Sequence, residues 1–354
     1  MDVYINGRFL TQKTTGVQRV AEEMLKALDR LLDNNESTDK FIILTPGNVI
    51  KELNLKNIEI RKIGRFKGHV WEQLILPWAT RKKTLINFCN TGPLFKRNQF
   101  AFIHDAAIRS ASGGFSKKFI YWYKLIYMLI GNNARNILTV SNFSKKELIN
   151  YYPQMENKMS VIYNGANHVL NIKNDDEILK KHNLIGRDFI LAVSSANPNK
   201  NFKVIMDAVA KMKDFQGEVI IAGGKQENVF AGKDLKFDGE CKWVGYVSDE
   251  ELVSLYKHAK VFIFPSIYEG FGLPPLEAMS LGCPVISSER ASMPEILENY
   301  VVYFDPTNSE ELVEKINLIL SNQKLVEDLR KDGQAHAQTF TWEKAAKQLV
   351  EIIH

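Results

Sequence analysis

With 354 residues, 45% of them hydrophobic and 25% charged, the chain has a globular composition and enough length for two domains, which excludes disordered and fibrous classes. Three widely spaced cysteines, Cys89, Cys241 and Cys283, with no CxxC, argue against a disulfide framework or a zinc site. The net charge of +5 divides unevenly: residues 1–170 carry 25 Lys+Arg against 13 Asp+Glu, so an anionic partner is expected on the first half.

The opening MDVYINGRFL reads as a strand and a turn, and not as a signal peptide. No run of about 18 apolar residues is present to span a bilayer. Short apolar runs then alternate with amphipathic stretches, the pattern of βα units and parallel sheets. Strands are expected at 3–6, 41–44, 58–62, 85–88, 100–104 and 136–140, with a helix over 17–32 that places Val20, Met24, Leu28 and Leu31 on one face. A further helix follows Ser141, with Ser144 as its expected N-cap. The polar stretch 169–181, which contains NIKNDDE, reads as a linker. A second series of strands is expected at 189–194, 218–222, 241–244, 261–265, 284–287 and 301–304, with helices at 249–258 and 276–281 and a closing helix at 342–353. In two such sheets ligands are held beyond the carboxyl ends of the strands, so the loops after them are where chemistry is sought.

The sharpest feature is Tyr268-Glu269-Gly270-Phe271-Gly272-Leu273-Pro274-Pro275-Leu276-Glu277, directly after the 261–265 strand. Its glycines permit a tight turn, and the helix that follows offers N-terminal amides to an anion. Glu269 and Glu277 put one carboxylate on the loop and one on the helix, a pair suited to a hydroxyl-rich ligand because an ionised carboxylate accepts from several O–H groups. Lys200 follows the first strand of this half and is a point charge of the kind that meets phosphate. His104 ends a strand and is followed by Asp105.

The run EGFGLPPLE, with AMSLGCPVISS, MPEIL and YFDP after it, resembles the retaining glycosyltransferases of family 4 (glycosyl transferases group 1). TGVQRVAEEM, TVSNFSKKEL, VIYNGAN, PNKNF and WVGYVSDEEL extend the resemblance over nearly the whole chain, in order. It implies a GT-B fold: two Rossmann-like parallel-sheet domains facing across a cleft. Residues 1–170 would be the acceptor-binding domain, 171–335 the donor-binding domain, and 336–354 a helix packing back toward the first. It further implies that Lys200 contacts the donor diphosphate, that Glu269 contacts the transferred sugar and that Glu277 binds the ribose hydroxyls. Gly270, Phe271, Gly272, Leu273, Asn201, Val247 and Asp249 would complete the donor site. His104 would lie beside the reacting sugar, and Gly16 and Arg19 in the loop near diphosphate and acceptor. One position departs from the family pattern: Ser194 stands where an arginine often precedes the lysine by six residues, leaving Arg19 or Arg109 to supply that charge.

The implied reaction moves a hexose from a GDP-, UDP- or dTDP-sugar to a saccharide, with retention. The acceptor is expected to be lipid-linked, on a polyprenyl diphosphate, in O-antigen or capsule assembly on the cytoplasmic face of the membrane. Basic aromatic stretches at 115–127 and 61–67 suit peripheral contact with an anionic membrane. No cofactor and no metal are expected, since no Asp-x-Asp is present. No nucleic-acid recognition motif is found. No GxGxxG or P-loop follows a strand, which disfavours an NAD enzyme or P-loop NTPase. The alternative is a nucleotide-sugar-binding relative that has lost catalysis.

Overall fold

The computed structural model describes residues 1–111, 113, 116–194, 197–212, 215–223 and 241–354. They form two compact units, Met1–Gly165 with Thr341–His354, and Ala166–Phe340.

The sheet of the first unit is built from β1 (Asp2–Asn6), β2 (Lys40–Thr45), β3 (Glu59–Lys62), β4 (Thr84–Asn87), β5 (Gln99–Phe102), β6 (Asn136–Thr139) and β7 (Met159–Val161), in the spatial order 3-2-1-4-5-6-7. Every pairing is parallel. The central strands are apolar on both faces because helices cover both, and Val3, Ile5, Ile43, Leu85 and Ile86 are fully buried. The helix Gly16–Asp33 buries the stripe expected from its period. The closing helix Trp342–Ile353 lies against it, and Trp342, Ala346, Leu349 and Ile353 have no exposed surface.

The second unit orders β8 (Phe189–Ser194), β9 (Glu218–Gly223), β10 (Cys241–Gly245), β11 (Val261–Phe264), β12 (Val285–Ser288) and β13 (Val302–Phe304) as 10-9-8-11-12-13, also parallel. In each unit the order reverses beside the first strand, between β1 and β4 and between β8 and β11. Such switch points leave a crevice at the carboxyl ends of the strands.

Three local expectations are corrected. The helix Asn142–Tyr151 is capped by Ser141, whose hydroxyl accepts from the Ser144 amide, so Ser144 is a helical residue and not the cap. The helix expected at 276–281 is Leu273–Ser280, since Pro274 and Pro275 sit in its first turn, where the missing N–H breaks no helical bond. The stretch 169–181 is not an open linker. It ends in the helix Glu177–Lys181, buries Ile178 and Leu179, donates from the Asp175 amide to the Glu250 carbonyl, and receives the Ser254 hydroxyl on Asp176 at 2.6 Å. The aromatic helix Lys117–Asn133 turns Ile126, Tyr127 and Ile130 into the core, with Tyr123, Tyr127 and Tyr152 packed edge to face. Phe115 lies outside the described residues.

Candidate active site

The loops after β8 and β11 converge in the second unit. After β8, Asn197 accepts from the Asn199 amide at 3.0 Å and opens the single turn Pro198–Lys200. Asn201 then adopts a left-handed conformation, φ 50°, which Asn tolerates better than most residues. Its side-chain amide donates to the carbonyls of Pro265 at 3.3 Å and Pro306 at 2.7 Å, tying the turn to the loops after β11 and β13. The Ile267 amide adds a bond to the Asn199 carbonyl at 2.8 Å. Asn201 thus positions the lysine beside it.

Held this way, Lys200 places its Nζ 2.6 Å from Oε1 of Glu269 and 5.0 Å from the centroid of the Phe264 ring. Both side chains of the pair are about one-fifth exposed, 19% and 20%. Cation and carboxylate are therefore presented together at the carboxyl end of β11. The Glu269 carbonyl accepts the Ser292 hydroxyl at 3.0 Å, which fixes the backbone of the loop.

Gly272 caps the helix Leu273–Ser280 at φ +94°. A Cβ there would stand 2.5 Å from Cε of Met293, so the turn requires glycine. The two prolines that follow remove two of the four open N–H groups of the helix start. The anion site expected at this terminus thus keeps its dipole but rests on fewer amides. Phe271 is buried against Phe340, with ring centroids 6.0 Å apart.

Glu277 lies one turn further along. Its Oε1 is 3.3 Å from Nε2 of His168, and both side chains are nearly buried. Tyr256 is fully buried close by: burial pushes its hydroxyl well above the ordinary value, and the charge of Glu277 adds to this. His168 was not singled out from the sequence, although it directly follows the VIYNGAN run, and only the fold brings it to Glu277. Val247 and Asp249 flank Ser248, the N-cap of the helix Asp249–His258, where Asp249 favours the helix dipole. Ser194 is the last residue of β8.

In the first unit, His104 follows β5 and is almost completely buried. Its Nε2 lies 2.7 Å from the Phe88 carbonyl, so that nitrogen carries the proton and Nδ1 is an acceptor. Burial, opposed by that hydrogen bond, holds the imidazole down at about 4, so it is neutral at ordinary pH. Gly16 is the first residue of the helix Gly16–Asp33, behind the Thr15 and Gln18 capping box, and Arg19 is half-buried in its first turn. The Arg109 guanidinium stacks on Tyr151 and Tyr152, at 4.9 and 5.8 Å from their ring centroids.

A second polar group at the β1/β4 switch point escaped the sequence reading. Glu72, with no exposed surface, accepts from Asn6 at 2.8 Å, Arg8 Nε at 2.9 Å and Thr91 at 3.0 Å, and meets His69 at 3.1 Å. Burial raises its carboxyl, but His69, Arg8 and Asn6 outweigh that and hold it below the ordinary value. Arg8 and Glu72 are 64 positions apart, and only the sheet order unites them.

Residues 174–336 match the family model described as glycosyl transferases group 1. The chain carries a glycosyl transferases group 1 domain. This glycosyltransferase is 29% identical over 230 residues to O-antigen chain mannosyltransferase B of Escherichia coli, covering 62% of this chain and 60% of that protein. It is 27% identical over 321 residues to O-antigen chain mannosyltransferase RfbU of Salmonella typhimurium, covering 86% and 87%. It therefore spans less than two thirds of the first of these relatives and most of the second. The structure of Anabaena HepE in complex with UDP and glucose superposes with a TM-score of 0.73 at 17% identity, over 99% of this chain and 98% of that one, which shows a shared GT-B fold. Among the described residues no helix is long and apolar enough to cross a membrane.

Proposed function

We propose that this glycosyltransferase moves a hexose, with retention, from a nucleotide-diphosphate sugar to a lipid-linked saccharide during assembly of a bacterial surface polysaccharide. The observation that carries the reading is the Lys200–Glu269 pair at 2.6 Å, held at the end of β11 with Glu277 on the helix that follows. That arrangement offers a cation for the diphosphate, a carboxylate for the hydroxyls of the transferred sugar and a second carboxylate for the ribose. The names of the Escherichia coli and Salmonella relatives support mannose as the first hexose to test and O-antigen as the first pathway.

In the proposed step the bond from the anomeric carbon to the diphosphate oxygen breaks. The acceptor oxygen bonds to that carbon on the same face, and the acceptor proton passes to the departing phosphate oxygen. Lys200 and the amides around Gly272 stabilise the charge that develops on the diphosphate, a preorganised electrostatic contribution. Glu269 stabilises an oxocarbenium-like centre through the sugar it holds. The first unit is assigned the acceptor, with His104, Gly16 and Arg19 as its contribution. The enzyme works at the cytoplasmic face and takes no metal.

The test is release of nucleoside diphosphate from a panel of GDP-, UDP- and dTDP-sugars, with and without a bacterial lipid extract, beside Glu269→Ala. Release from one donor that depends on the extract and disappears in the variant supports the proposal, and the anomeric coupling of the product reads its stereochemistry. Nucleotide binding without release from any donor would favour a protein that has lost catalysis.

A further inference from the structure

We propose that one face of the first unit, formed by the helical segment 68–79 and the loop at Phe95, docks directly on an anionic lipid bilayer. The segment turns Trp71, Glu72 and Leu76 inward, leaving none of them exposed. The outward positions fall at a spacing of four: Val70 is 52% exposed, Leu74 58% and Trp78 79%. A spacing of four drifts around an ordinary helix of 3.6 residues per turn. Here residues Trp71–Ile75 form a wider π-helical turn that takes up part of this drift, and all three side chains stay exposed. Beyond Trp78 a groove of about 340 Å³, lined by Pro77, Pro93 and Phe95, continues the apolar surface, and Phe95 is 76% exposed.

The charge around this stripe selects its partner. Residues 61–104 contain nine Lys and Arg and a single acid, Glu72, which is buried on the other side of the segment. Arg81, Lys82 and Arg97 line the same groove, so cations stand directly beside the apolar side chains. Lys83 is engaged with Asp2 at 3.0 Å, and Lys96 with the carbonyls of Thr80 and Lys83, so these two brace the groove. An exposed Trp and Leu ringed by Arg and Lys is the chemistry of a surface whose apolar groups enter the headgroup boundary while its cations meet anionic lipid. This face is distinct from the 115–127 stretch: the helix Lys117–Asn133 packs Tyr123 and Tyr127 inward and leaves Tyr121 exposed, whereas 68–79 leaves Val70, Leu74 and Trp78 uncovered.

The proposal rests on the lipid-linked acceptor only for its purpose; binding to lipid requires no transfer. Co-sedimentation with phosphatidylcholine vesicles, with and without phosphatidylglycerol, tests it without any donor present. The full chain should bind only the anionic vesicles and be released by salt, because surface charges are screened within roughly 10 Å at 0.1 M. Trp78→Ser should weaken binding about tenfold through lost apolar burial. Arg81→Glu with Lys82→Glu should weaken it at least about 25-fold, at roughly fivefold per cation removed. All three positions are exposed, so the variants should keep the parent melting temperature, and brominated lipid should quench the fluorescence of the parent but not of Trp78→Phe. Equal binding to neutral and anionic vesicles, or variants that bind like the parent, would overturn the proposal. So would a lipid-free dimer abolished by Trp78→Ser, since that would give the face to a second copy of the chain. Failure of nucleoside diphosphate release would sink the transferase reading and leave this result untouched.

Discussion

Replacing Gly272 by alanine tests whether the loop before Glu277 is built as the geometry indicates. Two costs arise. The φ of +94° lies where an L-residue with a Cβ loses roughly 1–2 kcal/mol. The new methyl would also stand 2.5 Å from Cε and 2.9 Å from Sδ of Met293. That side chain is flexible but fully buried, and overpacking in such surroundings costs about 1–3 kcal/mol. Together they amount to roughly 3 kcal/mol, which for a unit of this size lowers the melting temperature by about 6–12 °C. Calorimetry should show the loss in the transition of the second unit while that of the first stays in place. Met293→Ala carries its own cavity cost, yet it removes the atoms the methyl meets, so the double variant should be less destabilised than the sum of the singles. A Gly272→Ala protein within about 0.5 kcal/mol of the parent, or strict additivity with Met293→Ala, would refute the reasoning.

Three further outcomes are expected. Lys200→Ala should lower kcat by about 10²–10³, as for removal of one preorganised electrostatic group, and the double variant with Glu269→Gln should lose less than the product of the singles; multiplicative losses would show that the pair does not act together. Between about pH 4 and the ordinary imidazole value of about 6.5 the unfolded chain binds a proton that buried His104 does not, so stability should fall by up to roughly 3 kcal/mol as pH drops through that window. Urea titrations of the parent and of His104→Gln check this, and a variant that keeps the full pH dependence would exclude His104 as its source. Exhaustive chelation should leave nucleoside diphosphate release unchanged; a loss restored by magnesium or manganese would contradict the assignment of charge stabilisation to Lys200 and the loop amides.

The sheets were legible because central parallel strands are continuous apolar runs, as Phe41 to Leu44 and Val261 to Phe264 are. β7 was missed for the complementary reason: it has three residues and only Met159 is buried. At Ser141 and Ser144 two equivalent cap residues stand one turn apart, and the extended backbone of Ser141 decides between them. In the stretch 169–181 the acids Asp175, Asp176 and Glu177 are exposed at the start of a short helix, and Asp176 also receives a neighbouring hydroxyl. The site divided in the same way. Glu269, Gly272 and Glu277 share one local motif, so the turn and the helix start single them out together in the sequence. The partners that hold the site come from elsewhere in the chain: His168 reaches Glu277 across 109 positions, and Arg8 reaches Glu72 across 64. Local patterns carry no signal for such pairs, because sheet order, and not sequence distance, decides which side chains meet.

The closing helix returns to the first unit, so the second unit is an insertion within it. The chain leaves the first unit at Gly165, and a Cβ on that glycine would stand 2.3 Å from the Trp342 amide, where the chain comes back. During synthesis the second unit can close its core as soon as Phe340 has emerged. The first unit, begun earlier, waits with one side of the helix Gly16–Asp33 uncovered until Ile353 is made. The order of completion on the ribosome thus reverses the order of the sequence, and the apolar face of that early helix is the surface a chaperone would find.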